Sequence, residues 1–282
     1  MDDTLYGMRD RRGDWRPRAP LTGAPLFVFP PKPLAFLKWL PSYFLPWNAL
    51  YLALAALFWF ALTPSLETMR TLSWDWTLWI LLRNSLAVLV FYGLFELRLY
   101  VQRAQGTRFK YNPRFPSDTP RKGHLFGRQD LDNMVRTFGT GVPIWSAYEI
   151  LILWVFANGW VPMASFAEHW PWLLVILAVA KVFHEAHFYL IHRLIHVDWL
   201  YKHVHSVHHR AVNPSPWSSL SMHPVEHLLY FSGALIHLVI FSHPLLAVYQ
   251  LCYAGFGAVG GQFGFEKIET AEDSAIDTES YD

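Results

Sequence analysis

Apolar residues in this chain run together in long stretches instead of the short periodic patterns of soluble elements. Four stretches reach the ~20 residues that a bilayer-spanning helix needs: 43–62, 76–100, 142–160 and 170–190. A fifth, 228–260, is broken by Ser242-His243-Pro244. Proline removes a backbone donor and disfavours helix at the residue before it, so this region is expected to form a helical hairpin or two partly inserted helices. The pattern predicts an all-α integral membrane protein with about four transmembrane helices plus a re-entrant or hairpin region. It divides the chain into an N-terminal segment 1–42, a membrane-embedded domain 43–265 and an acidic tail 266–282. Alone, that tail would be a solvated surface strand or disordered.

The polar positions between the runs set an orientation. Lys and Arg number seven in residues 1–42 and nine in 97–141, whereas 161–169 has none. Short loops rich in Lys and Arg stay on the cytoplasmic side. The N-terminus, the middle loop and the segment 193–227 are therefore expected to face the cytoplasm, in a bacterial inner membrane or an endoplasmic reticulum membrane. The middle loop, with Asn112-Pro113 and Phe115-Pro116, reads as irregular and interfacial.

Composition agrees with the membrane reading. Of 282 residues, 16% are charged, against about 25% in ordinary soluble domains. The formal net charge of +1 argues against nucleic acid as a partner. Cys252 is the only cysteine, which excludes an intramolecular disulfide framework and a cysteine-rich zinc site. Arg83, Glu96, Arg98 and Glu149 lie within or beside the predicted spans, where they form an internal ion-pair set or snorkel to the interface.

The chemistry lies in the histidines. Ten of fourteen fall within 184–227, where an even distribution would put two. His192 and His196 are an i, i+4 pair, which sets two imidazoles on one helical face. His205, His208 and His209 combine i+3 and i+4 spacing, and His223 and His227 repeat i, i+4 with Glu226 between them. Neutral imidazole ligates iron, zinc, copper and nickel. His192, His196, His205, His208, His209, His223, His227 and His187 are the candidate metal ligands. His184 is a weaker one, His203 is off the spacing, and the isolated His124, His169, His237 and His243 read as structural.

The run HFYxxHRxxH at 187–196, the HxxHH box at 205–209 and the HPxE segment at 223–226 resemble the sterol desaturase/fatty acid hydroxylase superfamily of membrane non-haem di-iron oxygenases. Lys110-Tyr-Asn-Pro, Val142-Pro-Ile-Trp-Ser-Ala-Tyr-Glu149 and Gly264-Phe-Glu-Lys-Ile extend the likeness. It implies a helical membrane base under a cytosolic helical histidine-box cap, with two iron ions between them. It also implies O2-dependent hydroxylation or desaturation of a sterol or fatty acyl C–H bond. The partners it implies are a membrane lipid as substrate and an electron donor such as cytochrome b5 or ferredoxin with its reductase. Within it, His192 and His196 are first-box ligands, and His205, His208 and His209 second-box ligands. Relatives carry a further HxxHH box, whereas no histidine follows His243 here, and Gln262 stands where histidine is frequent. That departure is read as a truncated chain, as a degenerate inactive relative, or as an unusual site using His184, His187 or Glu226. Two other classes remain open from the residues alone: a membrane metal-binding or transport protein and a bis-histidine haem cytochrome.

Overall fold

The computed structural model describes residues 1–18, 24–25, 28–116, 123–211 and 213–278. An antiparallel hairpin of β1 (Gly7–Arg9) and β2 (Trp15–Pro17) precedes the helices. Helix α1 (Pro33–Phe44) and α2 (Trp47–Leu57, prolonged by a π turn over Phe58–Leu62) meet at a 45° bend. Together they are long and apolar enough for one broken span or a re-entrant loop, with Pro46 at the break. The short α3 (Leu66–Met69) leads to α4 (Trp74–Glu96), which runs on through Leu97–Val101. Next come α5 (Gln129–Arg136) and α6 (Val142–Ala157), then α7 (Phe166–Ile195), α8 (Asp198–His203), α9 (Pro224–Phe231) and α10 (Pro244–Gly257). The second hairpin, β3 (Lys267–Ala271) and β4 (Ser274–Asp277), follows.

Three helical stretches are long and apolar enough to cross a bilayer: Trp74–Val101, Gln129–Ala157 and Phe166–Ile195. The bent α1–α2 pair makes a fourth if it is taken as one span. This is an all-α membrane protein in its architecture, and among the described residues the β-strands are those of two small hairpins. The lipid-facing surface is explicit on α4, where Leu78, Leu82, Leu86, Val90 and Leu94 recur every fourth residue and are each at least half exposed. In water such a stripe would be a liability, whereas in a bilayer it is the solvated face.

Two expectations need correction. The middle segment 97–141 is not loop throughout. Residues 129–141 form α5 and a π turn that carry α6 backwards into one 29-residue helix. Its buried Asp132 is paired locally, with the Arg136 guanidinium 2.8 Å from the carboxylate one turn away. The acidic tail is also neither loose nor a lone strand: Glu269 on β3 is gripped by Arg108 through Nε and Nη2 at 2.8 and 2.6 Å. Residues 279–282 of that tail lie outside the described residues.

The run 228–260 does divide at Ser242-His243-Pro244, and His243 caps α10 by accepting the Leu245 N–H at 3.0 Å. Helix α10 is buried from Pro244 to Phe256, enclosed by α2, α4, α6 and α7. Its closest approach is at Gly255, where any Cβ would lie 2.2 Å from the Trp145 ring of α6. The hydroxyls of Tyr92 and Tyr230 take up the carbonyls of Gly255 and Ala254 at 2.5 and 2.8 Å.

One ion pair is buried in this bundle. Arg83 of α4 donates to Glu149 of α6, and Asn84 Nδ2 reaches Glu149 Oε2 at 3.0 Å and Ser146 Oγ at 3.1 Å. The guanidinium also donates to Thr63 Oγ1 at 3.1 Å and lies over the Phe58 ring. Every partner needed to hold a charge pair away from water is present.

Candidate metal centre

Helix length positions the histidines. Thirty residues of α7 span about 45 Å at 1.5 Å each, well beyond the ~30 Å hydrocarbon core. The helix is thus longer than a straight crossing requires, and His192 lies in its last turn with His196 at its C-cap. The helix ends at His196, α8 reverses the chain, and the 3₁₀ turn His205–Arg210 folds the second histidine box back onto the first.

Three imidazoles converge there: ligand atoms of His192, His196 and His205 all lie within 4.8 Å of one another. The Nε2 atoms of His192 and His196 are 2.9 Å apart, and His209 Nε2 is 3.0 Å from His205 Nε2. Nitrogens sharing one ion at ~2.1 Å sit about 3.0–3.4 Å apart when adjacent. These spacings are compatible with nitrogens sharing one ion and equally with imidazole–imidazole hydrogen bonds. The Tyr201 ring packs against His196 and His209, with centroids at 5.5 and 5.6 Å.

Glu226 orients the innermost imidazole. His205, which is fully buried, donates Nδ1–H to Glu226 Oε1 at 2.8 Å. That bond fixes the tautomer, turns Nε2 toward the other histidines, and makes it a better donor to a metal. Burial pushes the His205 imidazole down to about 4, so it is neutral. Burial also pushes the Glu226 carboxyl up to about 7. Its Oε2 is buried without a hydrogen-bond partner.

The residues fit a metal ion on these observations. The donors are neutral nitrogen, and a buried carboxylate stands one bond behind them with an unanswered oxygen. Its ionised form would be stabilised by a cation on the far side of His205.

The other candidates sit elsewhere. His208 stacks on His205 with centroids 5.7 Å apart, but its Nδ1 is 3.4 Å from the Ser221 carbonyl. It lines a separate cavity of about 150 Å³ with His184, Phe188, Tyr230, Tyr253 and Gln262. His223 uses Nδ1 to accept the Val225 N–H at 3.2 Å and caps α9. His227 is buried with both nitrogens engaged, Nε2 donating to Leu220 O at 3.0 Å and Nδ1 3.2 Å from Thr140 Oγ1. His187 reaches Ser232 Oγ at 3.1 Å, and its Nδ1 is a buried atom without a partner. His203, off the box spacing, bonds the Trp199 carbonyl one turn back.

Two features are only partly visible in the sequence. Glu226 reads there as an adjunct of His223 and His227, yet its partner is His205. His184 reads as secondary, although His184, Phe188, His192 and His196 lie at successive i+4 positions and so on one stripe of α7. That stripe joins the cavity to the histidine cluster.

Fold and site together define a helical membrane protein with a histidine cluster at the C-terminal end of α7. Residues 177–275, which contain every clustered histidine, match the fatty acid hydroxylase family model. A Delta(7)-sterol 5(6)-desaturase of Aspergillus fumigatus is 40% identical over 57 residues, covering 20% of this chain and 18% of the relative. Methylsterol monooxygenase 1 of Gallus gallus is 33% identical over 85 residues, covering 29% of each chain. Sphinganine C4-monooxygenase 2 of Arabidopsis thaliana is 38% identical over 79 residues, 27% of this chain and 30% of the relative. In each case the match spans less than a third of the curated relative's length. No solved structure matches the chain. Over residues 177–275 the chain is thus similar to the fatty acid hydroxylase family, and its relatives there include sterol desaturases and methylsterol monooxygenases.

Proposed function

We propose that the chain is an iron-dependent oxidoreductase acting on a C–H bond of a membrane lipid, with His192, His196, His205 and His209 as ligands of one ion. The convergence of His192, His196 and His205 within 4.8 Å carries this reading. Iron held there supplies the activation of dioxygen that hydroxylation and desaturation both need.

The chain's own residues supply position and exclusion. Glu226 locks the His205 ring, so the innermost donor needs no reorganisation when it binds. Phe188 and Tyr230 wall the adjacent cavity, and an acyl chain seated against them would displace water there, which protects a strong oxidant from side reactions. A lipid tail is already dissolved in the phase that bathes α7, and the α7 stripe leads from that phase to the cluster. His208 and His184 are candidates for a second ion, with Gln262 on the same cavity wall. An outside electron donor of the cytochrome b5 or ferredoxin type completes the reaction. The excess of Lys and Arg in the N-terminal and middle segments supports a cytoplasmic site.

The test is product formation. Membranes containing the chain and a reductase system should yield lipids gaining one oxygen or losing two hydrogens, dependent on O2 and abolished by an iron chelator. Iron binding without either product would reduce the reading to metal binding alone.

Glu226→Gln keeps the side chain's size and a hydrogen-bond acceptor but removes the charge behind His205. Iron affinity should fall about tenfold or more, the usual cost of losing a partner behind a ligand, as read by competition with a calibrated chelator. An unchanged affinity would remove Glu226 from the account.

A further inference from the structure

Helix α4 carries an apolar groove at each end. One, of about 520 Å³, lies between Trp74 and Thr77 and the side chains of Leu151 and Trp154 on α6, and no charged residue lines it. The other, of about 500 Å³, is walled by Trp47 and Leu50 of α2, Phe95 of α4, and Ile268 and Ile276 of the C-terminal hairpin. Arg98 and Glu269 also line this second groove. From Thr77 to Arg98 the helix covers about 32 Å, close to the ~30 Å thickness of a hydrocarbon core. The grooves thus stand at opposite boundaries of the bilayer, and Arg98 is at headgroup depth.

The charge in the second groove is one-sided. The Glu269 carboxylate is taken by Arg108, as described, and lies 3.4 Å from the amino group of Met1. Lys267 is paired with Asp277. Arg98 is exposed, and its Nη2 donates to the Glu269 backbone carbonyl at 2.7 Å. Among the described residues it has no carboxylate partner. A guanidinium tethered by one hydrogen bond above an apolar trough matches a phosphate with an acyl chain beneath it, because its planar fork presents several donors at once. With Glu269 already engaged, no wall residue offers a free negative charge to a choline or ethanolamine ammonium.

We propose that this groove seats one phospholipid of net negative headgroup from the leaflet on the Arg98 side, its acyl chain along Leu50 and Ile276 and its phosphate on Arg98. The uncharged groove at the Trp74 end takes acyl chains without regard to headgroup and serves as an internal control. The site is separate from the histidine cluster and does not depend on its metal.

Native mass spectrometry of the full chain in detergent tests it, with equimolar phosphatidylglycerol and phosphatidylcholine of identical acyl chains. Wild type should retain phosphatidylglycerol in preference by about fivefold, the effect of one basic side chain at an anionic surface. Arg98→Lys should keep most of that preference. Arg98→Gln and the groove-filling Leu50→Trp should bring it to unity. Preference surviving in Arg98→Gln would overturn the proposal, as would equal retention of both lipids by wild type. Displacement of the bound lipid by oleate but not by phosphatidylglycerol would assign the groove to a free fatty acid and overturn it too.

Discussion

Replacing His205 with alanine should cost the protein its metal. His205 is the innermost donor of the cluster, the only one of the three converging residues that is fully buried, and the only one braced by a carboxylate. Its removal takes away one ligand and deprives buried Glu226 of its imidazole partner. Losing only a partner behind a ligand costs about 10–100-fold in metal affinity, so losing the ligand itself should cost at least about 100-fold. Iron per chain, measured by elemental analysis after reconstitution and desalting, should fall to background. His203→Ala, which alters an exposed histidine bonded to the Trp199 carbonyl, should leave it unchanged. Equal iron in both variants would mean that the second box does not hold the ion.

The second large effect concerns stability. Arg83→Met should destabilise the bundle by about 3–5 kcal/mol, because it strands a buried carboxylate whose counter-charge has gone. Glu149 is 1% exposed, so water cannot replace the guanidinium. The double variant Arg83→Met/Glu149→Leu removes both charges and should recover most of the loss, since apolar replacement of a whole buried pair is often neutral. Thermal unfolding in detergent, followed by far-UV circular dichroism, reads both. A double variant as unstable as the single would show that packing, not charge, sets the cost.

The spans are legible in the sequence because the bilayer imposes a length and an apolar composition that few other constraints imitate. Their ends are less so. Residues 43–62 look like one complete span, yet Pro46 lies at a 45° bend between α2 and a preceding helix, α1. Residues 129–141 look like loop because Asp130, Asp132 and Arg136 are charged. In the fold Asp132 is buried and paired with Arg136 one turn on, within a helix that continues into α6. The character of α10 is hidden for the opposite reason: its apolar run resembles a lipid-facing segment, but protein encloses it.

The same division holds at the site. Spacing of four within 192–196 and within 205–209 is enough to expect two imidazole pairs, because a helical turn fixes neighbours at that interval. Bringing the pairs together depends on the reversal through α8, which no local periodicity encodes. His223 and His227 share the favourable spacing, but one caps a helix and the other is bonded through both nitrogens. Spacing alone cannot separate a ligand from a cap. The isolated histidines illustrate the structural alternative, with His237 held between Ser242 Oγ and Gln250 Oε1 at 2.7 and 2.8 Å.

Iron-edge X-ray absorption of the reconstituted protein addresses the shared ion most directly. Scattering from at least three imidazole rings in the wild type, with rings lost in His192→Ala and in His205→Ala alike, is the predicted result. A spectrum without imidazole scattering, or one that neither substitution alters, would contradict the shared centre.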